Sequence, residues 1–281
     1  MKALLQRPLR GICSAITASF LLATGAHGAI TLVDFDMTGT VTSGGGDKLV
    51  DFSPTTVDYS LSTASIDSTT WSSASTTTAP ANNATIYGGF TGDNDFRSQD
   101  GTPDYLRTKQ TSLQTGTYSF ALVWKKEDFL NGQDSATVNI DSQSAYNMNM
   151  GLASSSAGGN ADYGWIITKG TTTYVSEYST FSGTAFDVYG AGTDLTSLEW
   201  YEVPSNWNML DRGSLVADPS ATGVFSDISG VGVYITSQNA TMDNATGIQL
   251  NSFSASVIPE PSTGLLLAAG MGVFLLRRRR N

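Results

Sequence analysis

Hydrophobic residues recur at every second position along much of the chain, which is the period of a β-strand and not that of a helix. The clearest cases are Tyr118 to Trp124 and Tyr146 to Leu152, where large apolar side chains alternate with small or polar ones. Such alternation turns one face of a strand towards a core and the other towards solvent or a second layer. The same pattern predicts strands at residues 30–37, 49–52, 57–61, 137–141, 164–168, 173–177, 185–189, 230–236 and 248–257.

Clusters of Gly, Asn, Asp and Ser separate these strands, and the pattern shows no long amphipathic helix between them. About ten strands without intervening helices predict an all-β domain, an antiparallel β-sandwich of jelly-roll type. A parallel β-helix is the alternative, but it needs a short fixed repeat, which the sequence lacks. The Ser- and Thr-rich stretch 60–85 has strand patterns on both sides, so we expect a surface excursion of one domain.

The first 28 residues have the pattern of a secretory signal peptide. Three basic residues precede the apolar run 11–23, and Ala26-His27-Gly28 follows as a small-x-small site that suits signal peptidase. We predict a signal helix, cleavage between Gly28 and Ala29, and export of everything downstream. An N-terminal membrane helix is the alternative, which the brevity of the run disfavours.

The last 25 residues read VIPEPSTGLLLAAGMGVFLLRRRRN. The tripeptide Pro259, Glu260, Pro261 precedes the apolar run 263–276, whose 14 residues would form a helix roughly 21 Å long. This is short of the roughly 30 Å hydrocarbon core, but a short span inserts when the bilayer thins locally. The run ends at a cluster that would stop transfer at the cytoplasmic side: Arg277, Arg278, Arg279 and Arg280.

A tripeptide, an apolar run and an arginine cluster in this order resemble the PEP-CTERM sorting signal of Gram-negative bacteria. The resemblance implies that exosortase, a membrane enzyme, recognises Pro259-Glu260-Pro261 and cuts near it. The body would pass through an inner-membrane intermediate and then be released or transferred to the cell surface. Family members commonly accompany exopolysaccharide production and matrix formation, so exopolysaccharide is an implied partner. The alternative is an ordinary tail anchor.

The predicted organisation is therefore a signal peptide at 1–28, a sandwich domain at 29–257 and a sorting signal with a membrane helix at 258–281. The whole chain has 15 basic and 25 acidic residues, and the two terminal segments hold seven of the basic residues and one of the acidic ones. The body thus carries a net charge of −16. An acidic surface repels phosphate backbones, so we expect no nucleic-acid partner.

The single cysteine, Cys13, and the single histidine, His27, both lie in the predicted signal peptide. The exported body would therefore hold no disulfide, no nucleophilic triad that needs histidine, and no zinc site built on Cys or His. Carboxylate pairs and calcium sites remain open, because they need only oxygen ligands. We expect no other cofactor.

The stretch GGFTGDNDFRSQDGTPDYLRTK gathers four aspartates between glycines: Asp93, Asp95, Asp100 and Asp104. Carboxylates on a glycine-rich loop suit Ca²⁺, which accepts six to eight oxygens in a flexible geometry. Turn formation explains the same Asp-Gly and Asp-Asn pairs without a metal. Both readings stay open.

The segment LEWYEVPSNWNML could present Trp200, Tyr201 and Trp207 on a loop where aromatic faces would stack on sugar rings. Trp124 and Trp165 lie on alternating strands, and we expect them in the core. Glycosidase chemistry needs two carboxylates that face one sugar, and no such pair stands out, so we expect no enzyme. The predicted function is a structural or adhesive surface or extracellular-matrix protein. The alternatives are a lectin-like carbohydrate-binding module and a glycoside hydrolase or lyase.

Overall fold

The computed structural model describes residues 29–38, 48–52, 84–89, 94–110, 119–152, 160–183, 185–204, 215–217, 225–238 and 247–258. Residues Ile30–Val257 form one compact unit. Its strands, in chain order, are β1 (Ile30–Asp36), β2 (Lys48–Phe52), β3 (Thr85–Gly89), β4 (Asn94–Gln99), β5 (Tyr105–Gln110), β6 (Ser119–Lys125), β7 (Ala145–Leu152), β8 (Asn160–Lys169), β9 (Thr172–Ser176), β10 (Ser179–Ser182), β11 (Asp187–Tyr189), β12 (Trp200–Glu202), β13 (Val216–Ala217), β14 (Gly230–Gln238) and β15 (Ile248–Val257). Two short 3₁₀ helices, Lys126–Asp128 and Leu195–Ser197, lie between them.

The first sheet is antiparallel and is built around β15. Its strand order is β11-β7-β15-β5-β4-β2, and β1 also pairs with β15. The edge of β15 that is not taken by β7 is shared: Gln249 and Leu250 pair with β5, and Ser252 to Val257 pair with β1. The first and last strands of the unit are therefore neighbours.

The second sheet has the order β13-β12-β9-β8-β14-β6-β3, and all its pairings are antiparallel. Here β8 is the strand with a shared edge. Residues 166–169 pair with β9, and residues 160–163 pair with β10.

The two sheets pack face to face around one aromatic-rich core. The ring of Trp124 on β6 stacks on that of Phe253 on β15, with centroids 4.6 Å apart. Tyr146 on β7 meets Trp165 on β8 edge-on at 5.6 Å. All four side chains are buried, and burial of large aromatic surfaces is the main stabilising contribution to such a core.

The second sheet is buried on both faces along β6. The side chains of Phe120, Leu122 and Trp124 enter the core, while Ala121 and Val123 join a second apolar cluster with Tyr234. Within this cluster the Tyr234 hydroxyl donates to the Ser119 hydroxyl at 3.2 Å, which keeps the buried oxygens paired. The alternation in this segment therefore marks a core and a second layer.

Asn251 occupies the point where β15 changes partner from β5 to β1. The register shifts there, and the side chain is buried. Its Nδ2 group donates to the Asp104 carbonyl at 2.8 Å and to the Thr38 hydroxyl at 3.2 Å, while its Oδ1 accepts from Asn149 Nδ2 at 3.1 Å. One buried amide thus hydrogen-bonds to three neighbouring segments at the point where β15 changes partner.

The prediction of an all-β, antiparallel domain is confirmed, and β15 has the predicted bounds. The strand predicted at 137–141 is wrong, because only Ile140 pairs there, in an isolated bridge with Phe225. The strand predicted at 57–61 lies outside the described residues. The jelly-roll connectivity stays a prediction.

Within the described ranges, no helix is long and apolar enough to cross a membrane. The predicted signal helix (1–28) and the C-terminal membrane helix with its arginine cluster lie outside these ranges, so both stay predictions.

Candidate functional site

The first strand of the domain begins beside the point where its last strand ends. Ile30, the first residue of β1, lies opposite Val257, the last residue of β15. The predicted signal cleavage between Gly28 and Ala29 is next to Ile30 in the sequence, and Pro259 is two residues beyond Val257. Gly28, Pro259, Glu260 and Pro261 themselves lie outside the described residues. The register nevertheless fixes one end of the first sheet as the place where both flanking segments begin.

The solvent side of the first sheet carries rows of small polar and acidic side chains. Along β15, Phe253, Ala255 and Val257 are buried, whereas the serines between them are half-buried and point to the other face. The neighbouring strands β1 and β7 have polar residues at the matching positions, except for Ala145 opposite Ser256. We call this surface the polar face; it consists of Thr31, Asp34, Asp36, Asn147, Asn149, Ser252, Ser254 and Ser256.

Two rows cross three strands of the polar face. One row places Asp34 and Asn147 on either side of Ser254, and the other places Asp36 and Asn149 on either side of Ser252. Neighbouring strands are about 4.8 Å apart and alternate residues about 7 Å apart, so the rows form a regular grid. Carboxylates accept hydrogen bonds, whereas amides and hydroxyls both donate and accept them. The Asn149 amide is less available than that of Asn147, because its Nδ2 donates to Asn251 and its Oδ1 is buried.

An apolar border lies beside this grid. Val188 on β11 is opposite Asn149 and is 57% exposed. The rings of Tyr105 and Phe186 are in contact, with centroids 5.7 Å apart, and both are half-buried. Tyr105 precedes the core residue Leu106, so it projects from the solvent side of β5.

The candidate sugar-binding residues differ in how far they are buried. Trp200 is 1% exposed, its Nε1 donates to the Leu195 carbonyl at 3.1 Å, and its ring packs edge-on against Phe225 at 5.1 Å. Its indole faces are covered by protein, so the expectation of a loop-surface platform does not hold for Trp200. Trp207 lies outside the described residues. Trp124 and Trp165 are buried in the core, as predicted.

Tyr201 is half-buried and faces two carboxylates. Its hydroxyl donates to Glu199 Oε2 at 2.9 Å, and Glu177 Oε1 accepts from the Glu199 backbone N–H at 3.3 Å. Burial, followed by the hydrogen bond to Glu199 and the negative charges of Glu199 and Glu177, raises the pKa of Tyr201. The phenol therefore stays protonated at neutral pH and holds the Glu199 side chain in place.

The candidate calcium ligands that the structure describes are divided between a strand and a connection. Asp95 lies within β4, and the connection from β4 to β5 contains Asp100 and Asp104. Asp104 is buried, and its carboxylate accepts from the Gly101 backbone N–H at 3.2 Å, which is turn geometry. Asp93 and the side chain of Asp95 lie outside what the structure describes. Among the described residues, no group of three or more His, Cys, Asp or Glu side chains could hold a metal ion.

Sequence reasoning did not single out the polar face. Its signal was present, because each of the three strands alternates apolar residues with Ser, Asn or Asp. What the pattern could not show was that the first and last strands pair, since no local feature specifies a contact between residues 30–36 and 252–257.

Residues 257–280 match the PEP-CTERM protein-sorting motif. Comparisons with curated proteins and with solved structures found no similar chain. The tail therefore carries a PEP-CTERM sorting motif, which indicates an exported protein that exosortase sorts to the cell surface or the extracellular space.

Proposed function

We propose that the domain between the signal peptide and the sorting motif is a structural, adhesive component of the extracellular matrix that contacts exopolysaccharide through the polar face. The observation that carries this proposal is the cross-strand row of Asp34, Ser254 and Asn147. Sugar hydroxyls both donate and accept hydrogen bonds, and a grid of carboxylates, amides and hydroxyls offers both kinds of partner.

The charge of the polar face limits the kinds of polysaccharide that it would bind. Asp34 and Asp36 are exposed on the polar face, and the domain as a whole is strongly acidic. Like charges repel, so a polyanionic polysaccharide would be disfavoured and a neutral one favoured. A flat surface with many small contacts suits weak binding along a polymer, which many copies on a cell surface would strengthen by avidity.

The test is retention of the purified full-length protein, in detergent, on immobilised exopolysaccharide from its native cells and on neutral polysaccharides such as dextran and cellulose. One row of the polar face is removed in the variant Asp34→Ala/Asn147→Ala/Ser254→Ala. A matched control removes one carboxylate and two hydroxyls from exposed positions outside the first sheet, in Thr171→Ala/Glu202→Ala/Ser226→Ala.

We expect the wild type and the control variant to be retained equally, and the row variant to lose at least tenfold in retention. All three proteins should unfold at temperatures within about 6 °C, because surface substitutions cost about 0.5 kcal/mol or less each. Equal retention of the row variant and the wild type would contradict the proposal.

A lectin-like carbohydrate-binding module is the second candidate, and the Tyr105–Phe186 pair favours it. Two half-buried aromatic rings beside polar side chains are the usual means of stacking on a sugar ring. A lectin-like site would be inhibited by free mono- or oligosaccharide and weakened by Tyr105→Ala. Matrix adhesion through the polar face predicts insensitivity to Tyr105→Ala, and to free monosaccharide, which offers too few of the many small contacts along the polymer.

A further inference from the structure

The sorting motif begins inside the fold. The matched residues start at Val257, which is also the last residue of β15 and is only 4% exposed. A single residue, Ile258, separates this strand from Pro259. A processing enzyme that binds residues on the N-terminal side of the tripeptide would therefore bind the end of β15, which is part of the first sheet.

In the described part of the chain, the last residue of β15 is paired with β1 alone. Within the described residues, pairing with β7 ends at Ser256 opposite Ala145, whereas pairing with β1 continues to Val257 opposite Ile30. Strand ends fray more easily than strand centres, and here the fraying partner is the first strand of the domain.

A protease that acts on a peptide chain binds several residues around the scissile bond in extended form, commonly by pairing with their backbone. Residues 252–256 already pair on both edges, with β1 and β7. Their backbone groups are therefore not available for pairing with an enzyme. Cleavage that needs an opened strand proceeds in proportion to the population of the open form when opening is fast.

We infer that strand pairing and sorting compete for the end of β15, so that exosortase cleavage requires the last residues of β15 to separate from β1. This inference rests on the sorting of the chain by exosortase. The β1–β15 pairing thereby controls when the body leaves the membrane: a loosely paired end is cut quickly, and a firmly paired end is held back.

The test uses a disulfide staple at the end of the strand pair. Thr31 lies opposite Ser256, and Asp36 lies opposite Ser252 on the same two strands and the same face. Directly opposite residues of antiparallel strands have Cα atoms about 4.5–5.5 Å apart, which a disulfide spans. The end staple is Thr31→Cys/Ser256→Cys, and the matched control is Asp36→Cys/Ser252→Cys.

Each variant is made in the full chain with Cys13→Ser, so that no other thiol is present. Pulse-chase labelling in the native cells follows the loss of the tail, with an oxidant to form the disulfide and a reductant to break it. Alkylation and intact mass establish that each staple has formed. We expect the end staple to slow cleavage at least fivefold, reductant to restore it, and the control staple to leave it unchanged.

Two further variants distinguish failure of exosortase sorting from failure of the competition between pairing and sorting. Six Gly and Ser residues inserted between Ile258 and Pro259 give the enzyme a free segment, and should restore wild-type cleavage to the stapled chain. Pro259-Glu260-Pro261 changed to three alanines should block cleavage altogether. If the alanine variant is cleaved normally, the hypothesis that exosortase recognises the tripeptide is wrong. If it is blocked while both staples are cleaved at the wild-type rate, only the competition between pairing and sorting is overturned.

Discussion

Trp200→Ala distinguishes a core residue from a ligand-binding one, and its cost can be worked from the structure. The indole is 1% exposed, and its ring packs against Phe225 with centroids 5.1 Å apart. Truncation of a buried Trp to Ala costs about 3–5 kcal/mol, because it removes apolar burial and leaves a cavity. The same change removes the donor to the Leu195 carbonyl, which adds about 1 kcal/mol.

A loss of about 4–6 kcal/mol corresponds to a decrease in Tm of roughly 8–24 °C for a domain of about this length. Thermal unfolding of the purified full-length protein, followed by near-UV circular dichroism, measures the shift. Tyr201→Phe is the matched control at the next position. It removes only the hydroxyl bond to Glu199 near the surface, and we expect a change of less than about 3 °C.

The reasoning would be refuted if Trp200→Ala kept the wild-type Tm within 2 °C and lost retention on polysaccharide. That result would mean that the indole is available to a ligand. A large decrease in Tm, with retention unchanged at a temperature where the variant is folded, is the result that the packing predicts.

Two further substitutions test other features of the core. The buried hydroxyl of Tyr146 has no hydrogen-bond partner among the described residues. Tyr146→Phe should therefore leave the free energy of unfolding, measured in urea, unchanged or raise it by about 1 kcal/mol. Tyr234→Phe breaks a buried hydrogen bond and should lower the free energy of unfolding by a similar amount. Burial also raises the pKa of Tyr146, so above pH 10 the unfolded state releases this proton first and stability falls with pH; the fall should be shallower in Tyr146→Phe. Gly190→Ala would place a Cβ 2.5 Å from the Trp165 ring and should cost at least about 3 kcal/mol, whereas Gly192→Ala, also at positive φ but in open space, should cost about 1–2 kcal/mol. Equal costs at the two glycines would contradict the packing of Trp165.

The period of two was sufficient to predict an all-β domain, because β-strands of one sheet need one apolar face each and the sequence repeats that pattern. β15 is the clearest example, since its residues alternate without interruption except at Asn251. The pattern failed at residues 94–110, where Asp and Gly suggested a loop although the segment forms β4 and β5. Turn residues occur in short strands as well as in loops, so composition alone did not separate the two.

The candidate site was harder to predict because its position depends on pairings between distant parts of the chain. Trp200 illustrates the difficulty: its neighbours Pro204 and Asn206 indicate a loop, and only the packing of Phe225 against it reveals a core position. The polar face likewise depends on the pairing of β1 with β15, which no local signal specifies.

The pairing of β1 with β15 also links folding to sorting. It joins strands more than 200 residues apart, so its loop-closure cost is among the largest in the chain and we expect it to form late. Because β15 pairs with β1, β5 and β7, the first sheet is not complete until this last strand is in place. The sorting motif begins at the last residue of the same strand, so we expect the residues next to the tripeptide to pair last. A substitution that slows the pairing should therefore advance cleavage relative to folding, which makes the end of β15 the point where stability and sorting are set together.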